Sequence, residues 1–158
     1  MKKATILCVL FIGFQSFTYS QAWQKFTNKD FGVSAELPGK FDVKIKNFKE
    51  RKNLSAVHNG KDYVLFSVSE YDEKINENLA VDLIASSMRE GDEVVQSAKD
   101  WKHNGKKWTS AILKSPAVGG YVHIRVLIRG KRVYNMSYIS YSANPKGNVD
   151  RFFNSIQI

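Results

Sequence analysis

Three places in this chain hold residues whose backbone preferences suit a tight hairpin better than any other structure. His58-Asn59-Gly60-Lys61 stands before Tyr63, His103-Asn104-Gly105-Lys106 before Trp108, and Gly130-Lys131 before Tyr134. Asn-Gly accepts positive φ at both central positions of a type I′ turn, the two-residue turn whose twist matches that of antiparallel strands. Counting outward from Asn104-Gly105 pairs His103 with Lys106 and Trp101 with Trp108. An aromatic cross-strand pair of that kind contributes up to ~1 kcal/mol. The repeated H-N-G-K reads as convergence on one turn chemistry rather than as an internal duplication.

The segments between the turns alternate as strands do. Phe31, Val33, Ala35 and Leu37 interleave with Gly32, Ser34 and Glu36 until Pro38-Gly39 ends the run, a half-buried strand closed by a turn. Phe41, Val43 and Ile45 interleave with Asp42, Lys44 and Lys46, which predicts a second strand with a lysine-bearing outer face; Lys49-Glu50-Arg51-Lys52 reads as a connecting loop. Tyr121 to Arg129 sets Val122, Ile124, Val126 and Ile128 on one face and Tyr121, His123, Arg125 and Arg129 on the other. Val133 to Tyr141 is mixed, with Tyr134, Met136 and Tyr138 opposite Val133 and Ile139, as in a sheet covered on both sides. Gly119-Gly120 reads as a turn into the strand that follows.

Two helices are available as covers. Leu79, Ala80, Leu83, Ile84, Ser87 and Met88 form one amphipathic stripe, with Asn76 or Asn78 as cap and Gly91 as stop. Near the end, Asn144-Pro145 opens a second helix on which Val149, Phe152, Phe153 and Ile156 recur at helical spacing. Strands, helix, strands, helix, joined mainly by hairpins, predict an α+β domain: a largely antiparallel β-sheet flanked by helices.

Trp23, Phe26, Asp30-Phe31-Gly32-Val33-Ser34 and Leu37-Pro38-Gly39 near one end, with Arg151-Phe152-Phe153-Asn154-Ser155-Ile156 at the other, resemble the PsbP/Mog1-like domains. That resemblance implies an α/β/α sandwich around an antiparallel sheet. The family spans a photosystem-associated extrinsic subunit, a regulator of a nuclear transport GTPase and many exported bacterial domains. No metal-ligand set of its photosynthetic branch stands at matching positions, so the resemblance carries no site residue across.

The first residues set the compartment. Lys2 and Lys3 precede an uncharged apolar run from Ala4 to Phe17, and small residues follow around Ser20 and Ala22. This is the layout of a secretory signal, and the run is shorter than the ~20 residues a membrane-spanning helix needs. Residues 1–20 are therefore expected to be removed, Cys8 with them, leaving one globular domain over 21–158 that is periplasmic or extracellular and does not span a membrane. That domain contains no cysteine, so its stability rests on its core. Without Lys2 and Lys3 it holds 22 Lys and Arg against 15 Asp and Glu, a formal charge of +7. Such a charge favours anionic partners. Outside the cytosol these are lipopolysaccharide, anionic polysaccharide or acidic head groups rather than nucleic acid.

No residue pattern for catalysis stands out. His58, His103 and His123 are scattered, without H-x-H or H-E-x-x-H spacing, so no metal is expected. No serine sits in G-x-S-x-G, no phosphate loop occurs, and nothing singles out a pair of carboxylates. The sequence points to a non-enzymatic binding or accessory domain of the bacterial envelope or secreted fraction, without a cofactor, whose partner is an anionic envelope component or another protein. A small hydrolase with a dispersed site, and a structural subunit docking on an envelope complex, are the alternatives. The residues expected to hold an anion are Lys44 and Lys46 on one strand face, with His123, Arg125 and Arg129 on the Tyr121–Arg129 strand and Arg132 across its hairpin.

Overall fold

The computed structural model describes residues 22–143 and 147–158; the segment expected to be a signal and Asn144-Pro145 lie outside the described residues. Among these residues nine strands run in chain order as β1 Trp23–Asn28, β2 Val33–Pro38, β3 Asp42–Asn47, β4 Arg51–Asn59, β5 Tyr63–Tyr71, β6 Glu93–His103, β7 Lys106–Ser115, β8 Gly120–Arg129 and β9 Arg132–Ser140. Helix α1 spans Leu79–Ser87, between β5 and β6, and α2 spans Asn148–Ser155, after β9. β1 and β2 form a hairpin of their own. The other seven strands form one sheet in the order β3-β4-β5-β9-β8-β7-β6, with every neighbouring pair antiparallel.

Side chains directly opposite one another in an antiparallel ladder share a face, so the register assigns the two sides of the sheet. On one side Leu54, Ala56, Val64, Phe66, Val68, Tyr134, Met136 and Tyr138 are buried beneath the β1–β2 hairpin and α2. Phe31, Val33, Ala35 and Leu37 meet them from the hairpin, and Val149, Phe152, Phe153 and Ile156 from the helical end. On the other side Ala111, Leu113, Ile124, Val126, Ile128 and Val133 pack under Ala80 and Ile84 of α1. These are the hairpin face and the helix face. The division expected along β8 and β9 holds, except that Leu127 joins the hairpin-face core.

The α/β/α sandwich is overturned. Strands make up 56% of the structure and helices 15%, in two helices, so the domain is β-rich rather than a sheet between helical layers. The physical reason is the β1–β2 hairpin: the strand expected over Phe31–Leu37 pairs with β1, which was not foreseen as a strand, and the two together serve as the cover over one face. Two further expectations change. The apolar stripe of α1 is only partly buried, with Leu79 and Leu83 still 43% and 37% exposed. All of β3 is exposed, Val43 and Ile45 included, because neither cover reaches the edge of the sheet.

Turn chemistry separates the two Asn-Gly sites. At Asn104-Gly105 both residues take positive φ (48° and 71°), with Trp101 opposite Trp108 and His103 opposite Lys106, the type I′ hairpin. At Asn59-Gly60 neither does; Asn59 pairs with Tyr63 across a three-residue loop closed by Gly60 N–H donating to the Asp62 carbonyl (3.1 Å). Gly120 is needed for closeness rather than for φ, since a Cβ there would run into the Ser140 carbonyl. A side chain at Gly105 meets no atom within 4 Å, so a substitution there costs only backbone strain. Gly105→Ala is thus expected to lose about 1 kcal/mol in urea melts, whereas Gly60→Ala changes little. Equal losses at the two sites would contradict this reading of the turns.

Candidate functional site

The strand order gathers three turns at one end of the sheet: β3–β4, β8–β9 and the exit from β5. Backbone bonds lock them together. Tyr71 N–H donates to the Lys131 carbonyl (2.9 Å), Asp72 N–H to that of Glu50 (3.3 Å) and Ile75 N–H to that of Gly130 (2.9 Å). Between them lies a cleft of about 560 Å³, lined by Arg51, Lys52, Lys131 and Arg132, by Phe48 and Tyr71, and by Asp30, Glu70 and Asp72. Register explains part of the gathering. Asn47 pairs with Lys52, Lys52 with Glu70, Glu70 with Arg132, and Arg132 with Arg129, so three cations and one carboxylate form a single row across five strands.

The charges in this cleft do not cancel. Glu70 is taken by Arg132, whose Nη2 and Nε lie 2.9 and 3.1 Å from Glu70 Oε2, while its Nη1 donates to the Phe31 carbonyl at 2.8 Å. Arg51 is held by aromatic groups instead. Its guanidinium lies 4.9 Å from the centre of the Phe48 ring, and Nη1 donates to the Tyr71 hydroxyl. Lys52 stands over the Phe31 ring, and Lys131 Nζ donates to the Asp72 backbone carbonyl, not to its carboxylate. Among the described residues no ion pair joins Arg51, Lys52 or Lys131 to an acidic side chain. Cations packed on rings keep their charge while their stems lose freedom, which readies them for an anion.

The six residues expected to bind an anion do not form one surface. Lys44 and Lys46 are exposed on β3, in register with Ser55 and Asn53 and therefore on the helix face. The other four belong to the opposite face. Arg132 lines the cleft, while Arg129, exposed beside it, lines a separate open groove of about 710 Å³ with Glu77, just before α1, and Lys107 of β7. Arg125 is enclosed: its guanidinium lies 3.5 Å from the Trp101 ring centre and 3.8 Å from that of Phe153, and its Nη1 is buried without a hydrogen-bond partner. Burial lowers its pKa to about 10, against an opposing pull from Asp150.

His123 is interior too. Its Nε2 lies 2.8 Å from Ser140 Oγ and 3.2 Å from the Ser142 carbonyl, and Ser140 Oγ donates to that same carbonyl at 2.6 Å. A serine beside a histidine is where a hydrolase reading would begin. Here the hydroxyl proton is committed to a backbone carbonyl, and neither residue lines any cleft described above. The other histidines serve the fold. His58 Nδ1 meets the Lys40 carbonyl at 2.7 Å, and His103 Nε2 meets that of Ile156 at 2.9 Å. No group of three His, Cys, Asp or Glu side chains converges among the described residues.

Phe48, Arg51, Lys52, Tyr71 and Lys131 are not singled out from sequence as binding residues; Arg51 and Lys52 read there as loop and Lys131 as turn. Their local signal is plain enough, a run of cations around Phe48 and a Gly-Lys-Arg turn, but the two segments meet only because β5 pairs with β9.

Comparison with known proteins adds no assignment. No family model matches the chain, and neither does any curated protein. A solved structure from Bacteroides thetaiotaomicron VPI-5482 is similar at a TM-score of 0.40 and 14% identity, over 87% of this chain and 48% of that one. The chain thus spans about half of that structure's length, and a likeness this slight assigns neither a fold nor a function.

Two outcomes follow from the enclosed groups. Arg125→Glu would bury a carboxylate between two rings and should cost ~3 kcal/mol or more, whereas Arg129→Glu should stay within about 0.5 kcal/mol of wild type in the same melts. A tolerated Arg125→Glu would mean that the stacking contributes nothing. For His123, burial holds the pKa below the ordinary 6.5, helped by Arg125 and opposed by the Ser142 carbonyl and Asp150. The unfolded chain therefore takes up the proton first, and stability present at neutral pH falls as the pH drops through about 6.5. His123→Gln should flatten that part of the melting profile. An unaltered slope would place the titrating group elsewhere.

Proposed function

We propose that the protein is an exported, non-enzymatic binding domain of the bacterial envelope, and that the cleft at the β3–β4 and β8–β9 turns holds an anionic envelope component. The supporting observation is the set of three cations, Arg51, Lys52 and Lys131, which surround one cleft without an acidic partner. Phe48 and Tyr71 beside them offer apolar surface to the body of a ligand whose charged groups meet the cations. Sugar rings bearing carboxylate, sulfate or phosphate suit that combination. The signal-like N-terminus and the formal +7 of the domain agree with such a partner. No helix among the described residues is long and apolar enough to cross a membrane.

Binding carried by charge has a salt signature, because the Debye length shrinks from ~10 Å at 0.1 M to ~3 Å at 1 M. Dextran sulfate, titrated into the folded domain, should bind at low salt and weaken steeply as salt is raised. Arg51→Glu combined with Lys131→Glu should weaken it by about tenfold or more while leaving the melting temperature close to wild type. Lys44→Glu with Lys46→Glu, on the other face, should weaken it far less. Equal losses in the two double variants would show a response to net charge alone and would sink the assignment to the cleft.

A further inference from the structure

Strand β3 ends the sheet on its side, and all six of its residues are exposed. Among the described residues it is bonded to β4 alone, so the N–H and C=O groups along its outer edge have no strand partner there. An edge left open in this way is a template for another strand. Its two faces differ sharply. Val43 and Ile45, opposite Ala56 and Leu54, continue the hairpin-face core outward, yet remain 45% and 47% exposed. Lys44 and Lys46 project from the helix face, opposite Ser55 and Asn53.

Lysines on an edge strand ordinarily repel unwanted pairing. Here they do so selectively. A second copy of β3 laid alongside in parallel register, or antiparallel with Lys44 opposite Lys46, would bring lysines against lysines, and like charges directly opposite destabilise a ladder. Asp42, opposite Val57, stands on the same face at the start of the strand, so carboxylates of a partner strand are favoured opposite Lys44 and Lys46 and disfavoured opposite Asp42. The exposed Val43 and Ile45 point the same way, since side chains that merely blunted the edge would be polar on both faces.

We propose that β3 accepts an extended segment of a partner protein as an eighth strand, and that this segment alternates apolar and acidic residues. Its apolar side chains cover Val43 and Ile45 and extend the hairpin-face core. Its carboxylates stand opposite Lys44 and Lys46 on the helix face. Main-chain hydrogen bonds supply the affinity and the alternation supplies the choice of partner. The site is separate from the anion cleft and does not depend on that assignment.

The test uses labelled peptides of about nine residues, long enough to span the strand, and fluorescence anisotropy with the domain as exported. A peptide alternating Val and Glu should bind, and one alternating Val and Lys should not. Lys44→Glu with Lys46→Glu should weaken the Val/Glu peptide by about tenfold and bring in the Val/Lys peptide. Should that variant fold poorly, Lys44→Ser with Lys46→Ser should abolish the preference without reversing it. N-methylation of alternate residues along the peptide's bonding edge should remove binding. Equal binding of the two peptides, no change of preference in either lysine variant, indifference to N-methylation on both edges, or polyglutamate binding as well as the Val/Glu peptide would each overturn the proposal.

Discussion

The structure is governed by a shortage of cover. A seven-stranded sheet with strands ~4.8 Å apart presents roughly 30 Å of width on each side. On the helix face the described residues provide a single helix of nine residues, about 13 Å long and ~10 Å across. It lies over β7 and β8 and leaves the β4–β5 side without a layer. Half-buried residues there match their surroundings: Asn53, Ser55, Ser67 and Ser69 are polar, and Asn53 Nδ2 donates to Ser67 Oγ and Ser69 Oγ at 3.1 and 3.0 Å. The same shortage leaves β3 bare at one edge of the sheet and the clefts open around the turns.

The hairpin face meets the shortage with a composite cover. The β1–β2 hairpin spreads over β5 and its neighbours, and α2 packs against β2 and β9. Where α2 ends, Arg125 fills the remaining space, its guanidinium pressed between Phe153 of the helix and Trp101 of β6. Trp101 in turn stacks on His103 and meets Trp108 edge-on, so the layer reaches the far strand through rings. A cation is a costly filler in an apolar layer. Here the π faces on both sides offset part of its lost hydration. Charge that looked available for binding has become structural.

How much of this could be read from the sequence depended on whether the information was local. Asn104-Gly105 set its own turn and brought Trp101 and Trp108 together, because two-residue loops leave no freedom of register. Asn59-Gly60 bears the same letters, but Asp62 in the loop offers its carbonyl to Gly60 and the turn widens. The β8 alternation was legible. Its polar face was misread, because nothing local says that α2 will come to rest on Arg125. The main error concerned partners: Phe31 to Leu37 alternates as any half-buried strand does, and alternation is silent on whether a strand joins the sheet or lies across it. The anion cleft was half visible for the same reason. Arg132 could be named from its hairpin, whereas Arg51 and Lys52 needed the β5–β9 pairing to reach it.

The cover of the hairpin face is made from the two ends of the described chain, and they fasten to each other. Ser34 bonds with Gln157 in an isolated bridge, Arg151 Nε meets Glu36 Oε2 at 2.6 Å, and Glu36 N–H donates to Ser155 Oγ at 2.8 Å. The tip of the β6–β7 hairpin clasps the same segment, with Asn104 Nδ2 on the Ile156 carbonyl and Lys106 Nζ on that of Ile158. Contacts so distant in sequence form late and slow the search for the native state. A chain delivered from its N-terminus can assemble hairpins as it emerges, but it cannot close this layer until Phe152, Phe153 and Ile156 arrive. Until then Phe66, Met136 and Tyr138 stand in water, and the interval before closure is when the protein is most vulnerable to aggregation and proteolysis.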